Sequence, residues 1–210
     1  MITDLVKYFF VLFVVIEPVS LVPMFAALTV DGDAAYRRRV AFKATAISTV
    51  ILISFAVGGQ WLLGYLGISV AAFKIGGGVL LLLLSIDMVF ARRSGMRSTT
   101  VREQDEARSR EDISVFPLAF PLIAGPGAMA TLVLIAGETY HSVSLFSGLI
   151  GMVALLMLLV LALLLLSGQV MRVLGVTGAN MVSRIFGVIL VAMAIQYLVD
   201  GIKAAFSLPL

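Results

Sequence analysis

Six apolar stretches, at roughly 5–28, 44–66, 70–91, 113–137, 144–167 and 184–206, govern what this 210-residue chain can become. Each is long enough to cross a bilayer, which takes about 20 residues in a helix. They are rich in Leu, Val, Ile and Ala and lack the in–out alternation of a membrane β-barrel strand. Helices are then the remaining way to satisfy backbone polar groups in lipid. Composition agrees, with 61% hydrophobic and 13% charged residues, where a soluble domain carries about 45–50% and roughly 25%. A soluble enzyme, a disordered chain and, with no cysteine, a disulfide-stapled domain are excluded. The first stretch lacks a small-residue cleavage site and reads as a retained helix rather than a signal peptide.

The basic residues set the expected orientation. Segments after spans 1, 3 and 5 hold Arg37, Arg38, Arg39 and Lys43, then Arg92, Arg93, Arg97, Arg102, Arg108 and Arg110, then Arg172 and Arg184. The opposite side holds only Lys7, Lys74 and Lys203. Both termini are therefore expected outside the cytoplasm, and the net charge of +3 reads as loops facing an anionic leaflet, with no nucleic-acid partner. The one long loop, 92–112, carries six arginines against five acids and reads as a solvated linker between two halves, 1–91 and 113–210, of a single membrane domain.

Those halves resemble each other. Gly59-Gln60, Leu66-Gly67-Ile68-Ser69 and Lys74-Ile75-Gly76-Gly77-Gly78-Val79-Leu80 recur in order as Gly168-Gln169, Leu174-Gly175-Val176-Thr177 and Arg184-Ile185-Phe186-Gly187-Val188-Ile189-Leu190. Glu17-Pro18 falls on Gly125-Pro126, 108 positions later. Three spans per half put the second half into the membrane from the other side. The expectation is an all-α protein of six transmembrane helices in two inverted three-helix repeats, the architecture of many secondary transporters.

Five of the six prolines sit in the first span of each half: Pro18 and Pro23, then Pro117, Pro121 and Pro126. Each removes a backbone donor and clashes with the preceding turn, so spans 1 and 4 are expected to break near mid-membrane. A break exposes amides that favour an anion and carbonyls that favour a cation. The amides around Gly125, Gly127 and Ala128 suit a carboxylate. Glu17 and the carbonyls before Pro18 and Pro23 suit an ammonium group. The small neighbours Ser20, Ala130 and Thr131 suit a small ligand.

Glu17 is the deepest acid, and charge at mid-membrane costs about 2.5–3.5 kcal/mol. It reads as an ion or substrate contact, or as a protonated structural hydrogen-bonder. Asp87 is expected to pair with Arg92 or Arg93, and Asp200 with Lys203 at i+3. Lys74 and Arg184 hold matching repeat positions and read as snorkelling anchors or gating groups. Gln196 either lines the site or bonds between helices. Gly76-Gly77-Gly78 lacks a nucleotide loop's strand–turn–helix context. His141 is the only histidine, so neither a metal site nor any other cofactor is expected.

Together these motifs resemble the MarC family (UPF0056) of bacterial inner-membrane proteins. The resemblance rests on Glu17-Pro18-Val19-Ser20-Leu21-Val22-Pro23, Lys74-Ile75-Gly76-Gly77 with Ile86-Asp87-Met88, Phe116-Pro117-Leu118-Ala119-Phe120-Pro121 with Ala124-Gly125-Pro126-Gly127-Ala128, and Ser183-Arg184-Ile185-Phe186-Gly187 through Gln196 and Asp200-Gly201. The family usually has Asp at Glu17 and often Gly at Ser20, which changes the reach of the acid. The resemblance implies six helices and kinship with LysE-like transporters, some of which carry glycine, alanine and serine. The functional expectation is a proton- or ion-coupled transporter of small neutral amino acids, as monomer or oligomer. The alternatives are an intramembrane enzyme on lipid or isoprenoid substrates, or an assembly factor.

Overall fold

The computed structural model describes residues 2–90 and 112–206, and every regular element among them is helical. In chain order these are α1 (Ile2–Ile16), α2 (Pro18–Leu28), α3 (Ala34–Tyr65), α4 (Val70–Val89), α5 (Ser114–Ile123), α6 (Pro126–Thr139), α7 (Val143–Leu165) and α8 (Ser167–Ala205). Five stretches are long and apolar enough to cross a membrane: Ile2–Leu28, Ala34–Tyr65, Val70–Val89, Val143–Leu165 and Ser167–Ala205. The pair α5 and α6, bent by 57° at their junction, makes a sixth if counted as one span. The charged segment 92–112, Asp112 excepted, lies outside the described residues, as do Arg92 and Arg93.

Two spans start earlier than hydropathy alone predicts. Residues 34–43, expected as a basic loop, form the opening turns of α3, and 168–183 belong to α8. Over 34–43 charge misleads because Arg and Ala are good helix formers and a helix can continue beyond the apolar slab; 168–183 holds a single charged residue, Arg172, and three glycines. Asp33 caps α3, its side chain accepting from the Tyr36 amide at 2.7 Å. Ser69 caps α4 through the Ala72 amide at 3.1 Å, as expected of short polar N-cap side chains. Helix α3 stops at Gly67 (φ 68°), where Gly67 and Ile68 amides return to Gly64 and Leu63 carbonyls. That left-handed residue closes the helix without a Cβ penalty. The second positive-φ glycine, Gly175 (φ 60°), interrupts α8.

Helices α4 and α8 run antiparallel along a glycine-lined seam. A β-carbon built on Gly78 would lie 3.0 Å from the Ala194 carbonyl, one on Gly187 3.0 Å from the Val89 amide nitrogen, and one on Gly201 3.0 Å from the Ala71 carbonyl. The partner number falls as the glycine number rises, so the axes oppose. Small residues admit this approach, which dispersion and lipid entropy reward inside a bilayer. Helix α3 packs on α5, α6 and α7; α1 on α6 and α7; α2 on α7 and α8; α4 on α6. Side chains facing outward, such as Val57, Leu158 and Val188, are exposed and apolar, which suits lipid as solvent. At the far end of α3, Trp61 and Tyr65 stack 5.6 Å apart, both exposed, as in an interfacial aromatic belt.

Candidate functional site

The interruption between α1 and α2 is a single residue. Pro18 excludes the right-handed helical region for the residue before it, and Glu17 takes a left-handed conformation (φ 55°, ψ 61°). It is the only non-glycine residue with positive φ among the described residues. Such a conformation costs about 1–3 kcal/mol and is held only when its surroundings demand it. Pro18 tolerates the first helical position because its missing N–H would be unpaired there anyway. The Glu17 amide donates to the Phe13 carbonyl (2.9 Å), closing α1, and the Ser20 amide donates to the Glu17 carbonyl (3.1 Å), opening α2. The Ser20 hydroxyl donates to Glu17 Oε1. Glu17 is 2% exposed, so this acid sits inside the bundle on a strained backbone. Pro23 lies within α2 and is half-buried.

The second interruption has another mechanism. Phe116 and Phe120, each preceding a proline, are pushed to extended backbone (φ −129° and −132°), the conformation that a following proline favours. Between them α5 winds with wide i→i−5 bonds, Leu118 amide to Ile113 carbonyl at 3.3 Å and Ala124 amide to Ala119 carbonyl at 2.9 Å. Gly125 then caps α6 with ordinary negative φ (−74°). Glycine is required there by space, since a β-carbon would lie 2.8 Å from the Pro121 carbonyl oxygen. Pro126 opens α6 and the Met129 amide bonds to the Gly125 carbonyl (3.0 Å). The amides of Gly127 and Ala128 precede it in the first turn, where a helix has no carbonyl of its own to offer. Both residues are buried.

Packing sets the start of α6 against the last turn of α1. A β-carbon on Gly127 would lie 3.8 Å from Val15, two residues before Glu17, and 3.2 and 3.3 Å from Leu81 and Leu84 of α4. The positive end of α6 therefore abuts the end of α1 and the middle of α4, in an apolar setting where partial charges act at full strength.

The other predicted site residues lie elsewhere. Gln196 is exposed, and its amide donates to Asp200 Oδ1 at 2.8 Å. It does not join the two interruptions, and Asp200 engages Gln196 rather than forming an ion pair with Lys203. Gln196 and Asp200 share one helix face at i+4, which spacing allows as readily as i+3. Lys74 is not only an anchor: its Nζ lies 3.8 Å from Glu138 Oε1, and the Tyr8 hydroxyl donates to Glu138 Oε2 at 3.5 Å. This cluster ties α4, α6 and α1 at one end of the bundle. Glu138 was missed, because a lone acid beside a turn reads as a loop residue and its partners are 64 and 130 positions away. Arg184 is exposed on α8, and Asp87 is half-buried near the end of α4.

At the opposite end Lys43 of α3 pairs with Asp112, whose Oδ1 accepts from the Ser114 amide at 3.0 Å and from the Ser114 hydroxyl. Hydrogen bonds from Lys43 and Ser114 hold the Asp112 carboxyl at about 2, below its ordinary 3.8. A depressed carboxyl stabilises the fold above its unfolded value and loses that contribution as pH falls through the folded one. The unfolding temperature of Asp112→Asn is thus expected below that of the parent at neutral pH, the gap closing from about pH 4 to about pH 2. The Asp112 side chain is 46% exposed, so solvent screens the pair and the effect is about 1 kcal/mol or less. Parallel thermal scans from pH 7 downward check this; a gap that persists below pH 2 contradicts it.

Among the described residues there is no group of three or more His, Cys, Asp or Glu side chains placed to hold a metal ion. The profile of the MarC family integral membrane protein matches residues 2–206 of this chain. The chain is 35% identical to the UPF0056 membrane protein YhcE of Escherichia coli (strain K12), over 95% of this chain and 92% of the relative. It is 32% identical to the UPF0056 membrane protein YvbG of Bacillus subtilis (strain 168), over 98% and 97%. A UPF0056 membrane protein of Archaeoglobus fulgidus is 32% identical over 92% and 90%. No solved structure matches the chain. With five apolar spans, a sixth where the bent pair counts as one, a profile match over residues 2–206 and relatives matched over most of their length, the chain belongs to the MarC family of multi-pass integral membrane proteins.

Proposed function

We propose that this protein is a secondary transporter of small neutral zwitterionic amino acids, of the glycine, alanine and serine class, driven by a proton or ion gradient across the plasma membrane. One observation carries the reading: an interruption bearing a buried acid and another with a free amino end both lie inside one apolar bundle, the start of α6 resting against Val15 in the last turn of α1. Structural proteins have no evident use for a buried acid on a strained residue. Intramembrane acids are by default pathway residues.

The reading takes the two halves as an inverted repeat, and several features support that. Exchanging α1, α2, α3 and α4 with α5, α6, α7 and α8 maps the main packing pairs onto one another: α2 on α8 onto α6 on α4, α3 on α6 onto α7 on α2, and α3 on α5 onto α7 on α1. Gly67 and Gly175, the two positive-φ glycines, are 108 residues apart. Gly78 and Gly187, 109 apart, face reciprocal stretches of α8 and α4. A pseudo-two-fold axis in the membrane plane would place the two interruptions on either side of a midplane site.

In this mechanism the Gly127 and Ala128 amides hold the substrate carboxylate, and Glu17 with Ser20 receives the ammonium group or the coupling proton. Leu81 and Leu84 lie over Gly127, so α4 must shift to admit ligand, and rocking of the halves exposes the site to each side in turn. The Lys74–Glu138 and Lys43–Asp112 pairs stand at opposite ends and act as the two gates. The basic asymmetry of the sequence orients the protein with both termini outside the cytoplasm. A phosphatase fused after Leu210 is then expected to be active; a cytoplasmic-only reporter working there overturns that orientation.

The deciding experiment is solute flux in proteoliposomes of purified protein, with labelled glycine, alanine and serine and an imposed proton gradient. Accumulation of any of them supports transport. Absence of flux with product formed from labelled lipid would favour an intramembrane enzyme instead.

A further inference from the structure

Thr131 lies on α6 one turn beyond Gly127 and is wholly buried, yet its hydroxyl has no hydrogen-bond partner among the described residues. That is unusual within this chain. Four other buried hydroxyls return to a carbonyl about one turn back: Thr29 to Phe25 at 2.7 Å, Ser48 to Ala44 at 2.8 Å, Ser85 to Leu82 at 2.7 Å and Thr139 to Ala136 at 3.1 Å; Ser114 donates to Asp112 instead. Thr131 forgoes that bond and bears the desolvation of an unpaired polar group. The one other buried hydroxyl in this condition is Thr45 on α3.

Its place on α6 gives the orphan hydroxyl a direction. Gly127, Thr131 and Leu134 follow i, i+4, i+7 spacing and share one face. Gly127 lies against Leu81 and Leu84 of α4, and Leu134 against Gly77 of the same helix. Ala130 also meets Gly77, and Thr131, one position further on, lies at the flank of this surface. Side chains on a helix lean toward its amino end, which carries the hydroxyl toward the free amides of Gly127 and Ala128. In the first half the matching position, 108 earlier, is Pro23, which has no hydroxyl. One interruption thus offers a carboxylate and the Ser20 hydroxyl, and the other offers amides and a threonine. Two chemically distinct ends fit a dipolar ligand.

We propose that Thr131 is a specificity-determining substrate contact, its hydroxyl donating to the ligand's carboxylate as the third donor beside the Gly127 and Ala128 amides. The amino end of α6 favours an anion over a cation, so the hydroxyl donates to a carboxylate rather than ligating the coupling ion. This assignment rests on the amino-acid reading of the site and adds to it the side chain that recognises the carboxylate.

The test is binding of labelled glycine, alanine and serine to purified full-length protein, with competition by glycinamide, which keeps the amine and lacks the carboxylate. Thr131→Val preserves shape and removes the donor. It is expected to weaken binding of the accepted amino acid by about 10- to 100-fold, the worth of a hydrogen bond to a charged group. Its ligand-free unfolding temperature should equal or exceed that of the parent, and its competition by glycinamide should be unchanged. Thr131→Ser should retain affinity within a few-fold. Thr45→Val should leave affinity intact. If valine is not tolerated, Thr131→Ala serves the same comparison. Parent-like amino-acid binding by Thr131→Val overturns the Thr131 assignment alone, as does equal weakening for glycine and glycinamide. Failure of the parent protein to bind any of the three overturns the amino-acid reading and this assignment together.

Discussion

Glu17→Gln is expected to abolish the proposed gradient-driven accumulation of substrate while substrate exchange survives. Glutamine keeps the length of the side chain and can still meet the Ser20 hydroxyl, but it cannot carry a proton. Vesicle uptake with and without an imposed proton gradient, at matched protein level, separates the two activities. Glu17→Asp should retain coupling, since the acid is kept and only its reach shortens. Normal accumulation by the glutamine variant would reduce Glu17 to a structural hydrogen-bonder, for which Gln is nearly equivalent, at about 1 kcal/mol or less. The left-handed backbone adds a second arm. Glu17→Ala and Glu17→Gly both remove the carboxyl, but only glycine also relieves the positive φ. Glycine is therefore expected to be the more stable of the two by about 1–2 kcal/mol. Both are expected to be inactive, which would show stability given up for function at this residue.

Gly127→Leu is expected to eliminate the proposed transport with the fold retained. A β-carbon at 127 meets only the tips of Leu81 and Leu84, at 3.2 and 3.3 Å, and Val15 at 3.8 Å. Those tips can move aside, so the cost is that of ordinary overpacking, about 1–3 kcal/mol, while the larger side chain occupies the space the ligand needs. Gly127→Ala should leave stability nearly unchanged and cut flux in part. Gly125→Ala provides the contrast. There the new methyl meets the Pro121 carbonyl at 2.8 Å, which is backbone and cannot yield, so folding itself suffers. Unfolding temperature and proteoliposome flux measured together distinguish blockage from misfolding. Full flux in Gly127→Leu would place the substrate path elsewhere.

Much of this architecture was legible before any coordinates. Apolar length marks a span through the local cost of exposing backbone to lipid, and the prolines mark interruptions through a local loss of a donor and a local clash. Residues 34–43 resemble a loop in their charge although helix propensity alone continues the helix; 168–183 resembles one through its three glycines, yet is helical on both sides of the break at Gly175. Gln196 was placed too near the centre because distance along a span measures depth but not which face meets the neighbours.

The chain order of amino acids by itself determined the helical class and the positions of Glu17, Pro18, Gly125 and Pro126 at the two breaks, all consequences of forces within a few residues. Only the tertiary structure decided that the start of α6 rests against Val15, Leu81 and Leu84, that Lys74 finds Glu138, and that Thr131 is left without a partner. In a membrane, apolar faces are nearly interchangeable between lipid and protein, so hydrophobicity does not choose the pairing of helices. Close approach at glycine and a handful of buried polar groups choose it, and those contacts join residues tens of positions apart.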